Sequence, residues 1–276
     1  MSGIEVQSRG APSEATVYEV TAVRYGTLRS RKSELYYRYA AYGEPDAEAS
    51  MAYYFWVLRT GSTTVLVDTG FSPEAAARRG RTCLREPLEA LGDLEIAPED
   101  VATIVVTHLH YDHIGNLGAF PDAELIVPAH ELDFWNGRYA QRVQFAAHVE
   151  PAELATLSRA AAEGRVRLTS GREEILDGVV AIEAGGHSPG QQVTVVETER
   201  GGVVLASDAI HLYEEFELDR PFAVMHDLEQ MYAAYDVVRD LAQSHGAVIV
   251  PGHDPDVFLR LGGDGSAHNS VAVRIA

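Results

Sequence analysis

The feature that most constrains this chain is a short run in which histidines and one aspartate recur at close spacing. It follows the apolar run at residues 101–106 and reads Thr107-His108-Leu109-His110-Tyr111-Asp112-His113. A buried strand that ends in such a run presents several imidazoles and a carboxylate to one small volume. Neutral imidazole and carboxylate oxygen are ligands that zinc and similar divalent ions accept. Because an unpaired buried carboxylate is costly, the run indicates a metal site rather than a polar turn.

Further candidate ligands also follow apolar runs that predict strands. Strand ends and the loops beyond them are where α/β architectures place their ligands. The side chains therefore have a common predicted location at one edge of the fold. They are Asp68 after residues 63–67, His187 after 179–183, Asp208 after 203–207 and His253 after 247–250.

The length of 276 residues predicts one large domain, which we place at residues 16–276. We find no tandem repeat, no low-complexity segment and no internal linker that would divide it. Residues 1–15 are predicted to form a flexible arm, because they are polar and lack the pattern of a signal peptide. No apolar run approaches the ~20 residues needed to cross a bilayer. These features together predict a cytoplasmic location.

The charge and the cysteine content exclude several classes of function. A formal net charge of −19 argues against a nucleic-acid partner and against binding to anionic membranes. The single cysteine, Cys83, cannot form a disulfide within the chain, and thiolate metal sites are not expected. The predicted partner is instead a small molecule, and a homodimer is plausible from the prevalence of such assemblies alone.

The order and spacing of the candidate ligands resemble the metallo-β-lactamase superfamily. Its His-x-His-x-Asp-His motif is followed along the chain by a lone His, a lone Asp and a lone His. The local sequence further resembles the N-acyl-homoserine-lactone lactonase branch. The segments that carry this resemblance are Val67-Asp68-Thr69-Gly70, residues 107–116, Gly186-His187-Ser188-Pro189-Gly190 and Gly252-His253-Asp254-Pro255.

The resemblance implies an α/β fold, a four-layer αβ/βα sandwich of two mixed β-sheets flanked by helices. It also implies a site for two divalent metal ions, with zinc expected and manganese, iron, cobalt or nickel also compatible. Asp68 would orient a ligand imidazole. The implied ligands are His108, His110 and His187 for the first ion, Asp112, His113 and His253 for the second, and Asp208 between the two.

The implied reaction is hydrolysis of a lactone by a hydroxide that bridges the two ions. Asp112 and Asp208 would then serve catalysis through the metals. Quorum-quenching lactonases typically carry a tyrosine three residues after the bridging aspartate, whereas this chain has His211 at that position and Tyr213 two residues later. Either side chain could donate to the oxyanion, His211 by position and Tyr213 by chemistry.

Several alternatives stay open at this point. The substrate could be an acyl-homoserine lactone or an aromatic lactone, because the aromatic segments at residues 36–54 and 134–145 could contact an acyl tail, a ring or the core. A second reaction is that of a thioesterase similar to glyoxalase II, or of another carboxylic ester hydrolase. Glyoxalase II-like chains usually continue the motif with Gly-Gly, whereas this chain has Gly115-Asn116. A different class is a binding protein that has lost its metals, which the intact ligand set disfavours.

Overall fold

Two long β-strands that pair with each other form the start of the larger sheet. The computed structural model describes residues 16–262 and 271–276, so the predicted arm at residues 1–15 lies outside the described residues. Strand β1 (Glu19–Arg31) runs antiparallel to β2 (Glu48–Thr60), and β2 runs antiparallel to β3 (Thr63–Val67). The remaining strands are β4 (Thr82–Cys83), β5 (Val101–Val105), β6 (Glu124–Pro128), β7 (Val166–Thr169), β8 (Arg172–Leu176), β9 (Val179–Glu183), β10 (Gln192–Thr198), β11 (Gly201–Ser207), β12 (Val248–Pro251) and β13 (Ala272–Arg274).

The helices lie between these strands and outside the two sheets. The α-helices are α1 (Lys32–Leu35), α2 (Pro73–Arg79), α3 (Pro87–Asp93), α4 (Ala129–Trp135), α5 (Val143–Ala146), α6 (Pro151–Ala162), α7 (Tyr213–Glu217), α8 (Leu228–His245) and α9 (Val257–Leu261). Within the described part of the chain, no helix combines the length and the apolar character needed to cross a bilayer. Short 3-10 helices span Tyr39–Tyr42, Pro98–Asp100 and Leu117–Ala119.

Both sheets are mixed. The larger one has the order β13-β1-β2-β3-β5-β6-β7, with β4 paired to β1. Its strands β3, β5, β6 and β7 are parallel to one another. The smaller sheet has the order β12-β11-β10-β9-β8, in which only β11 and β12 are parallel. Parallel neighbours end at the same edge of a sheet, so loops that follow them along the chain meet there.

The apolar residues divide into layers, as the period-2 alternation of strands requires. In β3, Val65 and Val67 face a core between the sheets, which also contains Leu205 from β11. Leu66, on the opposite face of β3, packs with Leu157 of α6 instead. Helix α8 covers the outer face of the smaller sheet through a further cluster. The order is helix, sheet, sheet, helix, which confirms the predicted four-layer αβ/βα sandwich.

Two of the helices begin with side-chain caps. The Ser72 hydroxyl accepts a hydrogen bond from the backbone N–H of Ala75, and Pro73 occupies the first turn of α2. The Asp227 carboxylate accepts from the N–H of Gln230 at the start of α8. The long β1–β2 hairpin was less predictable, because most of β2 is buried and lacks alternation of polar and apolar residues.

Candidate metal centre

The seven predicted metal ligands converge at one end of the sandwich, where loops from both sheets meet. Each follows a strand. In the smaller sheet β11 and β12 are parallel neighbours, and β9 and β11 are both antiparallel to the strand β10 between them, so these three strands end at the same edge. All seven are buried. They are His108, His110, Asp112 and His113 after β5, His187 after β9, Asp208 after β11 and His253 after β12.

Three histidines form the first group of potential ligands. One nitrogen each from His108, His110 and His187 lies within 4.8 Å of the others. The closest approach is 2.8 Å, between Nε2 of His187 and Nδ1 of His110. Three imidazoles around an open position form a common catalytic zinc arrangement.

A carboxylate and two histidines form the second group. Ligand atoms of Asp112, His113 and His253 also lie within 4.8 Å of one another. Asp112 Oδ2 is 3.8 Å from Nε2 of His113 and 3.8 Å from Nε2 of His253. The two groups therefore offer two separate positions for a cation.

Asp208 lies between the groups and directs one carboxylate oxygen to each. Its Oδ2 is 3.3 Å from Nε2 of His187 and 3.8 Å from Nε2 of His108. Its Oδ1 is 3.3 Å from Nε2 of His113 and 3.0 Å from Nε2 of His253. This is the geometry of a carboxylate that can contact two ions at once.

The donor set fits divalent cations by two further observations. The buried Nε2 atoms of His108 and His113 have no hydrogen-bond partner among the described residues. An unsatisfied buried polar atom is costly, and a cation would satisfy both nitrogens. Burial also lowers the pKa of His108, His110 and His187 well below its usual value, which favours the neutral imidazole that binds metals.

Asp68 holds the imidazole of His113 from behind. Asp68 Oδ2 lies 2.7 Å from Nδ1 of His113, and the carboxylate accepts hydrogen bonds from the backbone N–H and hydroxyl of Thr107, both at 2.8 Å. Asp68 has a φ of +63°, in the left-handed region that non-glycine residues rarely adopt. This strained backbone directs a fully buried carboxylate at the metal loop, and aspartate tolerates it better than most residues.

Backbone carbonyls orient two other ligands. Nδ1 of His253 lies 2.9 Å from the carbonyl oxygen of Ala52, and Nδ1 of His187 lies 2.9 Å from that of Val224. In each case an Nδ1–H that donates to the carbonyl leaves Nε2 free as a ligand atom.

His211 joins the centre through a buried carboxylate that the sequence analysis did not single out. Its Nε2 lies 3.3 Å from Asp208 Oδ2 and its Nδ1 lies 3.1 Å from Glu215 Oε2. Burial lowers the pKa of His211, but the carboxylates of Glu215 and Asp208 outweigh burial and raise it to about 9. Glu215 also accepts hydrogen bonds from the Phe222 N–H and from the hydroxyl of Tyr235, a residue of α8. The pair of His211 and Glu215 is therefore linked to α8.

Tyr213 lies apart from this centre. Its hydroxyl donates to the carbonyl oxygen of Ile249 at 3.2 Å, and the Arg260 guanidinium packs over its ring at 3.9 Å from the centroid. Tyr213 lines a different cavity from the one beside the metal ligands. Of the two predicted oxyanion donors, the structure brings only His211 to the ligand cluster.

A further buried carboxylate, Glu131, links the loop that follows β5 to the loop that follows β9. It accepts hydrogen bonds from the N–H groups of Leu109 and Gly190, at 3.2 and 2.9 Å, and from the indole N–H of Trp135 at 2.8 Å. Gly190 lies so close to α4 that an added Cβ would be 2.6 Å from the N–H nitrogen of Glu131. Glu131 lies in the first turn of α4, where an acidic residue ordinarily faces solvent, so nothing in the sequence indicated this role.

Two cavities open on the cluster from different sides. One, of about 300 Å³, is lined by Asp112, Asp208 and His211 together with apolar side chains. The other, of about 200 Å³, is lined by Phe134, Phe145 and other residues of the predicted aromatic segment at 134–145. His110 and His187 line both cavities, so the ligand cluster is accessible from each.

Comparison with known proteins identifies the family. The family model described as "Metallo-beta-lactamase superfamily" matches residues 51–253. The chain belongs to the metallo-β-lactamase superfamily. Two similar curated relatives are N-acyl homoserine lactonases. The one from Bacillus cereus is 28% identical over 217 residues, with 72% of this chain and 80% of the relative covered. AiiB from Agrobacterium fabrum (strain C58 / ATCC 33970) is 29% identical over 229 residues, with 75% and 80% covered.

The metallo-β-lactamase fold is also evident from solved structures. A quorum-quenching N-acyl homoserine lactone lactonase superposes with a TM-score of 0.70 at 24% identity, covering 87% of this chain and 94% of the other. AidC, a dizinc quorum-quenching lactonase, superposes with a TM-score of 0.69 at 20% identity, covering 88% and 89%. The solved structures confirm the predicted fold, whereas the family match and the curated relatives confirm the predicted superfamily and the predicted resemblance to its lactonase branch.

Proposed function

We propose that this metallo-β-lactamase superfamily member is a dinuclear metal-dependent hydrolase that opens lactones. The observation that carries the proposal is the position of Asp208, whose two oxygens face two separate groups of buried nitrogen and oxygen donors. A carboxylate placed in this way suits a pair of cations better than a single one. The lactonase names of the relatives support the choice of a cyclic ester as substrate.

The ligand assignment follows the two groups. His108, His110 and His187 would hold one ion, and Asp112, His113 and His253 the other, with Asp208 shared. Zinc is the proposed metal, because three-imidazole and mixed imidazole–carboxylate sets are common for it. When bound, two such ions supply an acidified water as nucleophile and Lewis-acid stabilisation of the carbonyl oxygen.

The chain's own groups position the substrate and complete the oxyanion environment. Between the two donors predicted for this task, the geometry supports His211. Its side chain lines the cavity beside Asp208, and Glu215 fixes the orientation of its ring. Tyr213 donates to a backbone carbonyl elsewhere. A preorganised donor at this place would stabilise negative charge as the ring opens.

Lactone substrates of two kinds remain under this proposal. Acyl-homoserine lactones are supported by the relatives, and aromatic lactones are supported by the aromatic residues around the smaller cavity. An extended acyl chain and a flat aromatic ring would contact the aromatic side chains of this cavity in different ways. Turnover measurements with both kinds of lactone separate them.

The test is proton release by the purified, zinc-loaded protein against a panel of substrates. The panel contains acyl-homoserine lactones of varied tail length, aromatic fused lactones, aliphatic lactones and one glutathione thioester. Turnover of a lactone class, and its loss in Asp208→Asn, is the expected result. Activity on the thioester with none on any lactone would contradict the proposal and favour the glyoxalase II-like alternative.

A further inference from the structure

We propose that the cavity of about 300 Å³ beside Asp208 contains an anion-binding subsite formed by Arg81, and that the preferred lactone carries an acidic substituent such as a carboxylate. This inference rests on the proposed function, because it assumes that a lactone occupies the cavity. It narrows the substrate to an acidic lactone.

Arg81 is held at the cavity wall by bonds that leave part of its guanidinium free. Its Nε donates to the Tyr111 hydroxyl and its Nη1 donates to the carbonyl oxygen of Arg79, both at 3.0 Å. Its Nη2 donates no hydrogen bond to any group in residues 16–262 and 271–276. The side chain lines the same cavity as Asp112 and Asp208, so it lies beside the proposed reaction centre.

The Tyr111 ring that anchors Arg81 is packed on both of its faces. The ring of Tyr111 is buried and stacks near Phe71, with ring centroids 6.2 Å apart. The guanidinium of Arg79 covers the Tyr111 ring at 4.0 Å from its centroid. Because its anchor is packed on both sides, the Arg81 guanidinium is presented in a fixed orientation, which reduces the entropy lost when a ligand binds.

Of the neighbouring residues Arg79 and Arg81, only Arg81 has a guanidinium that is free to pair with an anionic ligand. Arg79 forms an ion pair with Glu150 at 2.9 Å, whereas Arg81 forms none with any carboxylate that the structure describes. Arg29 also lines this cavity and likewise has no ion pair in the described ranges. Glu34, Asp112 and Asp208 also line this cavity, but the two aspartates are proposed metal ligands, and none of the three forms an ion pair with Arg81 or Arg29 in the described ranges. Both guanidinium groups therefore keep the capacity to pair with an acidic ligand.

The remaining wall defines the shape and polarity of the ligand. It is largely apolar and includes Tyr53 and Phe222. A cavity of about 300 Å³ is at the small end of the usual range for ligand pockets. A compact ring system with one acidic group matches these features better than a long acyl chain. A guanidinium also binds a carboxylate more strongly than it binds a neutral carbonyl.

The test uses two fused aromatic lactones that differ only in one ring substituent, a carboxylate in one and its methyl amide in the other. Arg81→Met should raise KM for the acid about tenfold or more, as expected for loss of a charge-assisted hydrogen bond, and change KM for the amide less than about twofold. Arg81→Lys should give an intermediate KM for the acid, because it keeps the charge but not the planar donors. The matched control is Arg200→Met, an exposed arginine at the β10–β11 turn, which should change neither value.

A binding measurement separates this inference from the proposed function. Calorimetry with a non-hydrolysable aromatic carboxylate should show binding to wild-type protein and about tenfold weaker binding to Arg81→Met, with thermal melting confirming that the variant is folded. Equal KM changes for acid and amide, or a wild-type preference for the amide, would overturn the subsite while lactone hydrolysis stands. Arg81-dependent carboxylate binding without turnover of any lactone would overturn the proposed function and leave the subsite standing.

Discussion

Asp68 Oδ2 lies 2.7 Å from Nδ1 of His113, although the two residues are 45 positions apart in the chain. The contact follows from strand order, because β3 and β5 are parallel neighbours and both end at this edge. The backbone N–H of Asp68 donates to the carbonyl oxygen of Val105, which fixes the register of the two strand ends. The pairing of the sheet thus places the carboxylate behind the proposed metal ligand.

We expect Asp68→Asn to weaken zinc binding by about 10- to 100-fold, because carboxylates that orient ligand imidazoles contribute this much to metal affinity. Asparagine keeps the shape and tolerates the positive φ, so the variant should fold. The measurement is a competition titration with a chromophoric chelator. Asp93→Asn, which removes an exposed carboxylate of α3, is the control and should bind zinc as wild type does. Wild-type affinity in Asp68→Asn would contradict the assigned role.

The His211→Phe substitution should lower kcat for lactone opening by about 100- to 1,000-fold, as removal of one oxyanion donor does elsewhere. Phenylalanine can retain the stacking on Phe222, and Glu215 keeps its donors from Tyr235 and the backbone. Steady-state kinetics and zinc content should be measured together. Zinc content should stay unchanged, and a loss of zinc would show that His211 acts as a ligand instead.

Tyr213→Phe is the companion test of the same assignment. The hydroxyl donates to a backbone carbonyl outside the ligand cluster, so kcat should remain within about twofold of wild type if the tyrosine has no catalytic role. A decrease in kcat comparable to that of His211→Phe would show that Tyr213 takes part in catalysis.

Much of this centre could be predicted from the sequence, because local spacing and strand ends carry its information. The motif at residues 107–113 and the lone ligands all follow apolar runs, and strands that run in the same direction within a sheet end at the same edge. The buried partners Glu131 and Glu215 could not be predicted in this way. Each lies in a short helix where an acidic residue ordinarily faces solvent, and only the tertiary packing surrounds it with donors. The choice between His211 and Tyr213 likewise required side-chain directions.

Glu131→Gln should lower the free energy of unfolding by about 1–3 kcal/mol, because its amide group would face an N–H donor in a buried place. The carboxylate accepts from Leu109, Gly190 and Trp135, and an amide cannot satisfy all three. Urea denaturation of the variant gives the value. Glu124→Gln, at an exposed position in β6, should change stability by less than about 0.5 kcal/mol. Similar free energies of unfolding for the two variants would rule out a stabilising role for the hydrogen bonds of Glu131.

Glu153 in α6 gives a prediction for the pH dependence of stability. Burial, with a contribution from the nearby charge of Glu150, raises the pKa of Glu153 from 4.5 to about 7. The folded state therefore retains this proton up to about pH 7, while the unfolded chain loses it near pH 4.5. The stabilisation is complete below pH 4.5 and is lost as pH rises through about 7.

Glu153→Gln removes this titration, so it should raise the melting temperature relative to wild type at pH 8 and leave the difference near zero at pH 4.5. Partial exposure screens the effect, and we expect less than about 1 kcal/mol. Thermal melts at the two pH values provide the comparison. If Glu153→Gln raised the melting temperature more at pH 4.5 than at pH 8, the result would contradict a raised pKa for Glu153.

The predicted cytoplasmic location, the homodimer and the absence of nucleic-acid or membrane partners stay predictions. The location rests on sequence patterns, and the others rest on charge or on general prevalence, rather than on a described contact. Analytical ultracentrifugation of the purified chain would test the homodimer directly, with a single monomeric species as the contradicting result.

The most direct test of the account is a zinc titration of metal-free protein, followed by the rate of lactone opening at each step. Since Asp208 faces two separate donor groups, we predict that activity rises to a plateau at two zinc ions per chain, and that Asp208→Asn stays inactive at every ratio. Full activity in metal-free protein, a plateau at one ion per chain, or wild-type rates in Asp208→Asn would contradict the dinuclear centre.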